Sequence, residues 1–261
     1  MSDAYAPHEI ARRVRELGVA KARSGRLSLF VLAVLAGAFI SLGAMFFTVV
    51  VTQPTLGFGV TRMIGGVAFS TGLILVLVGG AELFTGNNLV AMAWASRQIS
   101  FRELMRNWGL VYAGNVVGVI GTAGLVAFSG VHRLSEVEGT AISIAAAKCA
   151  LDPLSAIAAG VLCNALVCLA VWLSMGGRSV ADKVLGIVFP ITAFVACGLE
   201  HSIANWFFFA WAGMLGAGSS EGFFVDAATN LTMVTIGNIL GGTLLVAGVY
   251  WLAYLRNEVE H

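Results

Sequence analysis

The chain has 261 residues, of which 58% are hydrophobic and only 11% charged, and its formal net charge is +1. With a mean hydropathy of +0.89, it lies outside the composition of soluble domains. No segment outside the apolar stretches is large enough to bind nucleotide, engage nucleic acid or carry out soluble chemistry.

The first 26 residues are charged and lack the short apolar core and cleavage site of a signal peptide. They read as an N-terminal arm. Ile10, Val14, Leu17 and Lys21 fall at helical spacing, so the arm either forms an amphipathic helix on the cytoplasmic surface or stays solvated. Six apolar stretches follow, at 27–51, 63–95, 108–128, 153–175, 184–216 and 227–254. A bilayer span takes about 20 residues, so the second and fifth are too long for one straight helix, and both carry polar breaks. Between the third and fourth lies a loop, 129–152, with His132, Arg133, Glu136, Glu138 and Lys148. The last residues, 256–261, form a short tail. Of the fifteen Lys and Arg, only Arg62, Arg133 and Lys148 fall on one side of this layout. The positive-inside rule then puts both termini in the cytoplasm.

Two devices occur twice. Glu82-Leu83-Phe84-Thr85-Gly86-Asn87 and Glu200-His201-Ser202-Ile203-Ala204-Asn205 each set Glu and Asn five apart. Gly114-Asn115-Val116-Val117-Gly118 is echoed by Gly237-Asn238-Ile239-Leu240-Gly241. The offset is roughly 120 residues in both cases, and each half holds three spans. Three is odd, so the second half enters the membrane from the opposite side. The expected fold is an all-α integral membrane domain over 27–255, with six transmembrane helices in an inverted 3+3 repeat and broken second and fifth helices. Interrupted helices of this kind mark a solute pathway near the midplane.

A break in a bilayer frees backbone N–H and C=O groups, which other protein groups or pore water must satisfy. Glu82 and Glu200 suit N–H bonds from the broken segments. Asn115 and Asn238 suit bonds across to the opposite half. These residues, with Asn87 and Asn205, read as supports of the breaks. Thr85 offers a hydroxyl to a small polar solute. The half-helices after Asn87 and His201 would point two positive ends at a shared cavity, which favours an anion. His201 is the one histidine within a span, so a bis-histidine haem is excluded and a metal centre disfavoured. It can bind an anion or pass a proton to one. Phe69, Leu73, Leu83 and Phe194 are apolar residues next to the breaks, and periodicity alone reads them as core, although an apolar constriction would resist water and hydrated ions. The four cysteines lack metal-ligand spacing and read as packing residues. No cofactor is expected.

Several motifs carry a resemblance: Gly80-Ala81-Glu82-Leu83-Phe84-Thr85-Gly86-Asn87-Asn88, Cys168-Leu169-Ala170-Val171-Trp172, Gly177-Arg178-Ser179 with Asp182-Lys183, Phe194-Val195-Ala196, the His201 segment, and Val234-Thr235-Ile236-Gly237-Asn238. In this order and spacing, from about residue 27 to Arg256, the chain resembles the formate/nitrite transporter family. The resemblance implies an aquaporin-like protomer with its own pore, a homopentamer, and passage of small monovalent anions through a bacterial inner membrane. It implies formate first, with nitrite or hydrosulfide as alternatives on the same fold, and no enzymatic activity. A neutral-solute pore for water or glycerol would share the repeat but leave His201 unexplained. Carried over by motif, His201 is the central pore histidine and Thr85 the threonine beside it. Asn164 and Asn230 are pore-side polar partners, and Lys148, at the outer end of the fourth span, draws anions in. Val167 joins Phe69, Leu73, Leu83 and Phe194 in the constrictions.

Overall fold

Long apolar runs between strong stop and start signals leave helices as the regular structure of this chain. In the computed structural model, which describes residues 4–258, every regular element is a helix. In order they are α1 (Pro7–Arg23), α2 (Arg26–Val51), α3 (Phe58–Gly79), α4 (Ala91–Ala95), α5 (Phe101–Ser129), α6 (Val137–Cys149), α7 (Pro153–Gly176), α8 (Val180–Ala196), α9 (Ser202–Met214), α10 (Phe223–Leu240) and α11 (Val249–Tyr254). A 3-10 turn, Gly86–Val90, leads into α4, and a π-helical stretch, Gly241–Gly248, joins α10 to α11. The last part of the expected tail, 259–261, lies outside the described residues.

Helix ends follow local chemistry. Ser100 accepts from the Glu103 N–H at 3.2 Å while Glu103 accepts from the Ser100 N–H at 2.7 Å, a reciprocal box that starts α5. Asp152 caps α7, which has Pro153 in its first turn. Ser179 and Asp182 repeat the box at α8.

Among the described residues, five helical segments are long and apolar enough to cross a membrane: α2, α3, α5, α7 and the continuous run Phe223–Tyr254. Helices α8 and α9, of 17 and 13 residues, are the two pieces of one interrupted stretch. The outward faces of the five spanning segments and of α8 carry large exposed apolar side chains, as a lipid-facing surface requires, whereas α9 is buried along most of its length. Helix pairs approach closely where glycine allows. A Cβ on Gly118 would overlap the Val34 carbonyl oxygen between α5 and α2, and one on Gly241 would overlap that of Val161 at the α10–α7 contact. A Cβ on Gly121, one turn farther along α5, would meet nothing within 4 Å.

Three features differ from the expectations. The 129–152 segment holds a helix, α6, so Lys148 sits on the last turn of α6 rather than at the end of the fourth span. The arm is a helix docked on the protein: Ile10, Ala11 and Val14 are buried in a cluster with Leu89, Val171 and Trp172. Protein apolar surface, not lipid, covers its apolar face. The last span contains the π-helical stretch; there Gly242 lies against the Asn164 amide and Cys168 sulfur of α7.

Candidate functional site

Both breaks begin alike. Gly80 ends α3 with φ +85° and Gly198 follows α8 with φ +71°, a left-handed geometry that glycine tolerates. The Ala81 N–H returns to the Val76 carbonyl at 2.8 Å, and the Leu199 N–H to that of Phe194 at 3.0 Å. The chain then runs extended through Glu82 and Glu200.

A single asparagine staples each extended run. The Asn115 side chain donates to the Ala33 and Glu82 carbonyls at 2.7 and 2.9 Å and accepts from the Phe84 N–H at 2.9 Å. Asn238 does the same for the Gly160 and Glu200 carbonyls and the Ser202 N–H, at 2.9 Å each. Both asparagines are fully buried. Each serves its own half, so the expectation of bonds across to the opposite half is corrected. An amide offers donors and an acceptor together, which is what one broken turn needs.

The glutamates take a different role from the expected one. Rather than backbone N–H groups, each accepts an ammonium and an amide. Lys21 Nζ lies 3.0 Å from Glu82 and 2.9 Å from Asn87 Oδ1. Asn87 donates to Glu82 at 2.7 Å and to Asn107 at 3.1 Å, and Asn107 donates to the Lys21 carbonyl at 3.2 Å. At the other break Lys148 Nζ lies 2.7 Å from Glu200. Asn205 donates to Glu200 at 2.6 Å and to Asn230 at 2.8 Å, and Asn230 donates to the Lys148 carbonyl at 2.9 Å. The two networks match residue for residue, with α1 standing where α6 stands. Lys21 and Asn107 were not anticipated as site residues. Asn107 did carry a signal, since its offset to Asn230 equals that of Asn115 to Asn238.

His201 and Thr85 meet between these networks. Thr85 Oγ1 and His201 Nε2 are 3.0 Å apart, with both residues buried. The Ala204 N–H donates to His201 Nδ1 at 3.1 Å, so His201 is the N-cap of α9. With Nδ1 accepting, a neutral ring carries its proton on Nε2 and donates it to Thr85 Oγ1. The threonine hydroxyl hydrogen is then left to donate elsewhere. Only the α9 end is a long helix; the counterpart after Asn87 is a 3-10 turn and a five-residue helix.

Two cavities approach this pair from opposite sides. One of about 250 Å³ is lined by Lys21, Leu73, Glu82, Leu83 and Asn87, with Val14, Leu17 and Gly18 of α1 over it. The other, of about 260 Å³, is lined by Arg62, Phe69, Lys148, Phe194, Glu200 and His201. Phe69 meets Phe194 edge-on at 5.5 Å, and Phe194 stacks on His201 at 6.0 Å. Val167 is buried in the same apolar cluster but lines neither cavity. Nor do Asn164 and Asn230. Asn164 donates to the Thr85 and Asn238 carbonyls and to Asn88 Oδ1, so it anchors the threonine's backbone.

The α1 helix lines one side of the first cavity and is tied at several points. Arg106 bonds to the Ala22 carbonyl and Arg23 to that of Gln98. Glu258 takes Arg12 and Arg15 at 2.7 and 2.8 Å. Those bonds, Arg12 first, hold the Glu258 carboxyl below its ordinary value of 4.5 in spite of partial burial. A lowered carboxylate stabilises above its unfolded pKa and loses that contribution as pH falls through the folded value. The clasp is therefore expected to hold at pH 5, above the ordinary carboxylate value, and to loosen only in more acid solution. Spin labels placed at His8 and Asn257 should report one unchanged distance from pH 7 to pH 5.

The chain matches the family model described as "Formate/nitrite transporter" over residues 8–252. It is 38% identical to a protein described as "Formate channel FocA" from Escherichia coli (strain K12), over 99% of this chain and 98% of that one. A solved structure described as "Pentameric formate channel with formate bound" superposes with a TM-score of 0.80 at 38% identity, covering 88% of this chain and 98% of that chain. A second, "FNT family ion channel", gives 0.85 at 29% identity, covering 94% and 98%. A profile match across both breaks, with relatives that are channels and not enzymes, leaves one assignment: this multi-pass membrane protein is a transporter and belongs to the formate/nitrite transporter family.

Proposed function

We propose that the protein is a channel for small monovalent weak-acid anions, with formate as its solute. The observation that carries this reading is the buried Thr85–His201 pair lying between two cavities, each holding a lysine. A bare charge cannot rest cheaply in an apolar constriction. Formate enters one cavity, sheds water at the Phe69–Phe194 or Leu73–Leu83 end, and meets the Thr85 hydroxyl hydrogen. Dehydration raises the proton affinity of a carboxylate, so formate with a pKa of roughly 4 in water takes up a proton there and crosses as the neutral acid. His201 acts as the anion-binding donor behind Thr85. A ring whose Nδ1 is engaged by Ala204 has only the Nε2 proton to give, and giving it would leave an imidazolate. The incoming proton therefore comes from the bulk solution, carried into the cavity as hydronium.

The matching staples and networks support six spans in two inverted three-span halves, aquaporin-like in plan, with α8 and α9 as one broken span. The pentameric relative supports a homopentamer with one pore per protomer. The basic residues around α1 support an orientation with both termini in the cytoplasm of a bacterium and α6 outside. Flux into proteoliposomes, with formate, nitrite, hydrosulfide and glycerol offered separately at pH 5 and pH 7.5, tests the reading. Saturable formate flux, faster at pH 5, is expected. A preference for nitrite or hydrosulfide would replace the solute, and flux of glycerol alone would overturn the anion argument.

A further inference from the structure

The lysines in the two cavities are both matched by a carboxylate. Lys21 pairs with Glu82 at 3.0 Å and Lys148 with Glu200 at 2.7 Å. Opposite unit charges this close present little net charge to an ion farther out, because their potentials nearly cancel. In the first cavity the account ends there, since Lys21 and Glu82 are its only charged lining residues. The second cavity has one cation more. Arg62, from α3, lines it beside Lys148, Glu200 and His201.

Arg62 has no carboxylate within ion-pair distance among the described residues. Its Nε donates to the Ala196 carbonyl at 3.1 Å and its Nη2 to the Val195 carbonyl at 2.7 Å. Those carbonyls end α8, and a guanidinium has five N–H donors, so most remain for other partners. The guanidinium also lies over the Phe47 ring at 5.9 Å. The negative end of α8 could offset part of its charge. But α9 begins six residues on, with its positive end toward the same cavity, and the two ends oppose each other. The sum over lining side chains is one positive charge for this cavity and none for the other.

Resting on the channel reading above, we infer that Arg62, rather than Lys148, supplies the net positive charge by which the second cavity concentrates anions, and that this makes the two mouths electrostatically unequal. Apolar walls focus such a field. The walls here include Phe47, Phe69, Phe194 and Phe208. Carbonyl bonds hold the guanidinium in place without consuming its charge, which a carboxylate partner would do.

The test is anion conductance in planar bilayers, with formate added to one side at a time. Arg62→Gln keeps an amide donor for the α8 carbonyls and removes the charge; Arg62→Lys keeps the charge. In low salt, Arg62→Gln should raise the half-saturating formate concentration on the α6 side by about three- to tenfold and leave the α1 side unchanged. Arg62→Lys should stay within about twofold of the wild type on both sides. The difference should vanish in about 1 M of a salt with impermeant ions, where the Debye length falls to about 3 Å. Wild-type formate conductance with unchanged half-saturation in Arg62→Gln would overturn this inference alone. So would equal losses in both variants, which mark a helix-end anchor and nothing more. Should Arg62→Gln fail to fold, the wild type decides: equal salt dependence from the two sides refutes the proposal, and steeper dependence on the α6 side supports it. Wild-type bilayers that conduct no anion would remove the channel reading and this one together.

Discussion

His201→Phe is expected to cut formate flux by about ten- to a hundredfold, because it removes the Nε2–H that occupies Thr85 Oγ1 and turns the threonine hydroxyl hydrogen toward the anion, a hydrogen bond to a charged group being worth about 1.5–3 kcal/mol. The same change deletes the cap on the Ala204 N–H, which loosens the first turn of α9 by about 1 kcal/mol. His201→Asn separates the two possible roles of the ring. An asparagine can accept from Ala204 through its oxygen and donate to Thr85 through its amide, yet it cannot titrate. If the ring is an anion-binding donor, His201→Asn retains most of the flux and the full preference for pH 5 over pH 7.5. If the ring hands its proton to the substrate, the asparagine variant loses that preference. The geometry favours the first outcome: Nδ1 already accepts from a backbone N–H at 3.1 Å, so the ring has no second proton to offer. The readout is initial formate flux at the two pH values in vesicles matched for protein content.

Asn115→Ala should be the most damaging single change to stability outside the helix contacts. It orphans the Phe84 N–H and the Glu82 carbonyl in a buried segment. At about 1–3 kcal/mol for each of the two unsatisfied groups, the loss is about 2–6 kcal/mol. Water cannot reach them in hydrocarbon, and a chain with about 5–15 kcal/mol of stability has little to spare. Asn238→Ala should behave alike, through the Ser202 N–H and Glu200 carbonyl. Detergent-solubilised membrane proteins unfold irreversibly, so the measurement is the half-life of the gel-filtration peak at raised temperature. A half-life within twofold of the wild type for both variants would mean that the staples are dispensable.

These two variants probe different parts of one design. The asparagine staples let the chain leave helical geometry twice without leaving bare backbone. Departing from the helix is what brings Thr85 and His201 to one place: the two residues belong to different halves of the chain and meet at 3.0 Å because both helices break just before them. The Lys–Glu–Asn networks then brace the same runs from outside, one through α1 and one through α6.

The apolar runs, their lengths and the repeated Glu-x4-Asn and Gly-Asn motifs were enough to determine an all-helical membrane protein with two breaks and to single out Thr85 and His201. Those are local signals. A span needs its own hydrophobic residues, and a break needs its own glycine and its own polar groups, so both are written in consecutive positions. What tertiary structure alone decided was pairing. The glutamates accept lysine and asparagine side chains rather than freed backbone, because Lys21 arrives from a helix 61 residues away and Lys148 from one 52 away. Asn115 and Asn238 serve their own halves because α2 and α7 present the Ala33 and Gly160 carbonyls at the right height. The arm packs on the protein rather than on lipid because Leu89, Val171 and Trp172 leave an apolar seat that its face fills. Arg62 looked like an ordinary loop cation at the edge of a span, and only the end of α8, folded against it, holds its charge in the cavity. A hydrogen bond or a field depends on a partner's position, and that position is set by packing between residues far apart in the chain.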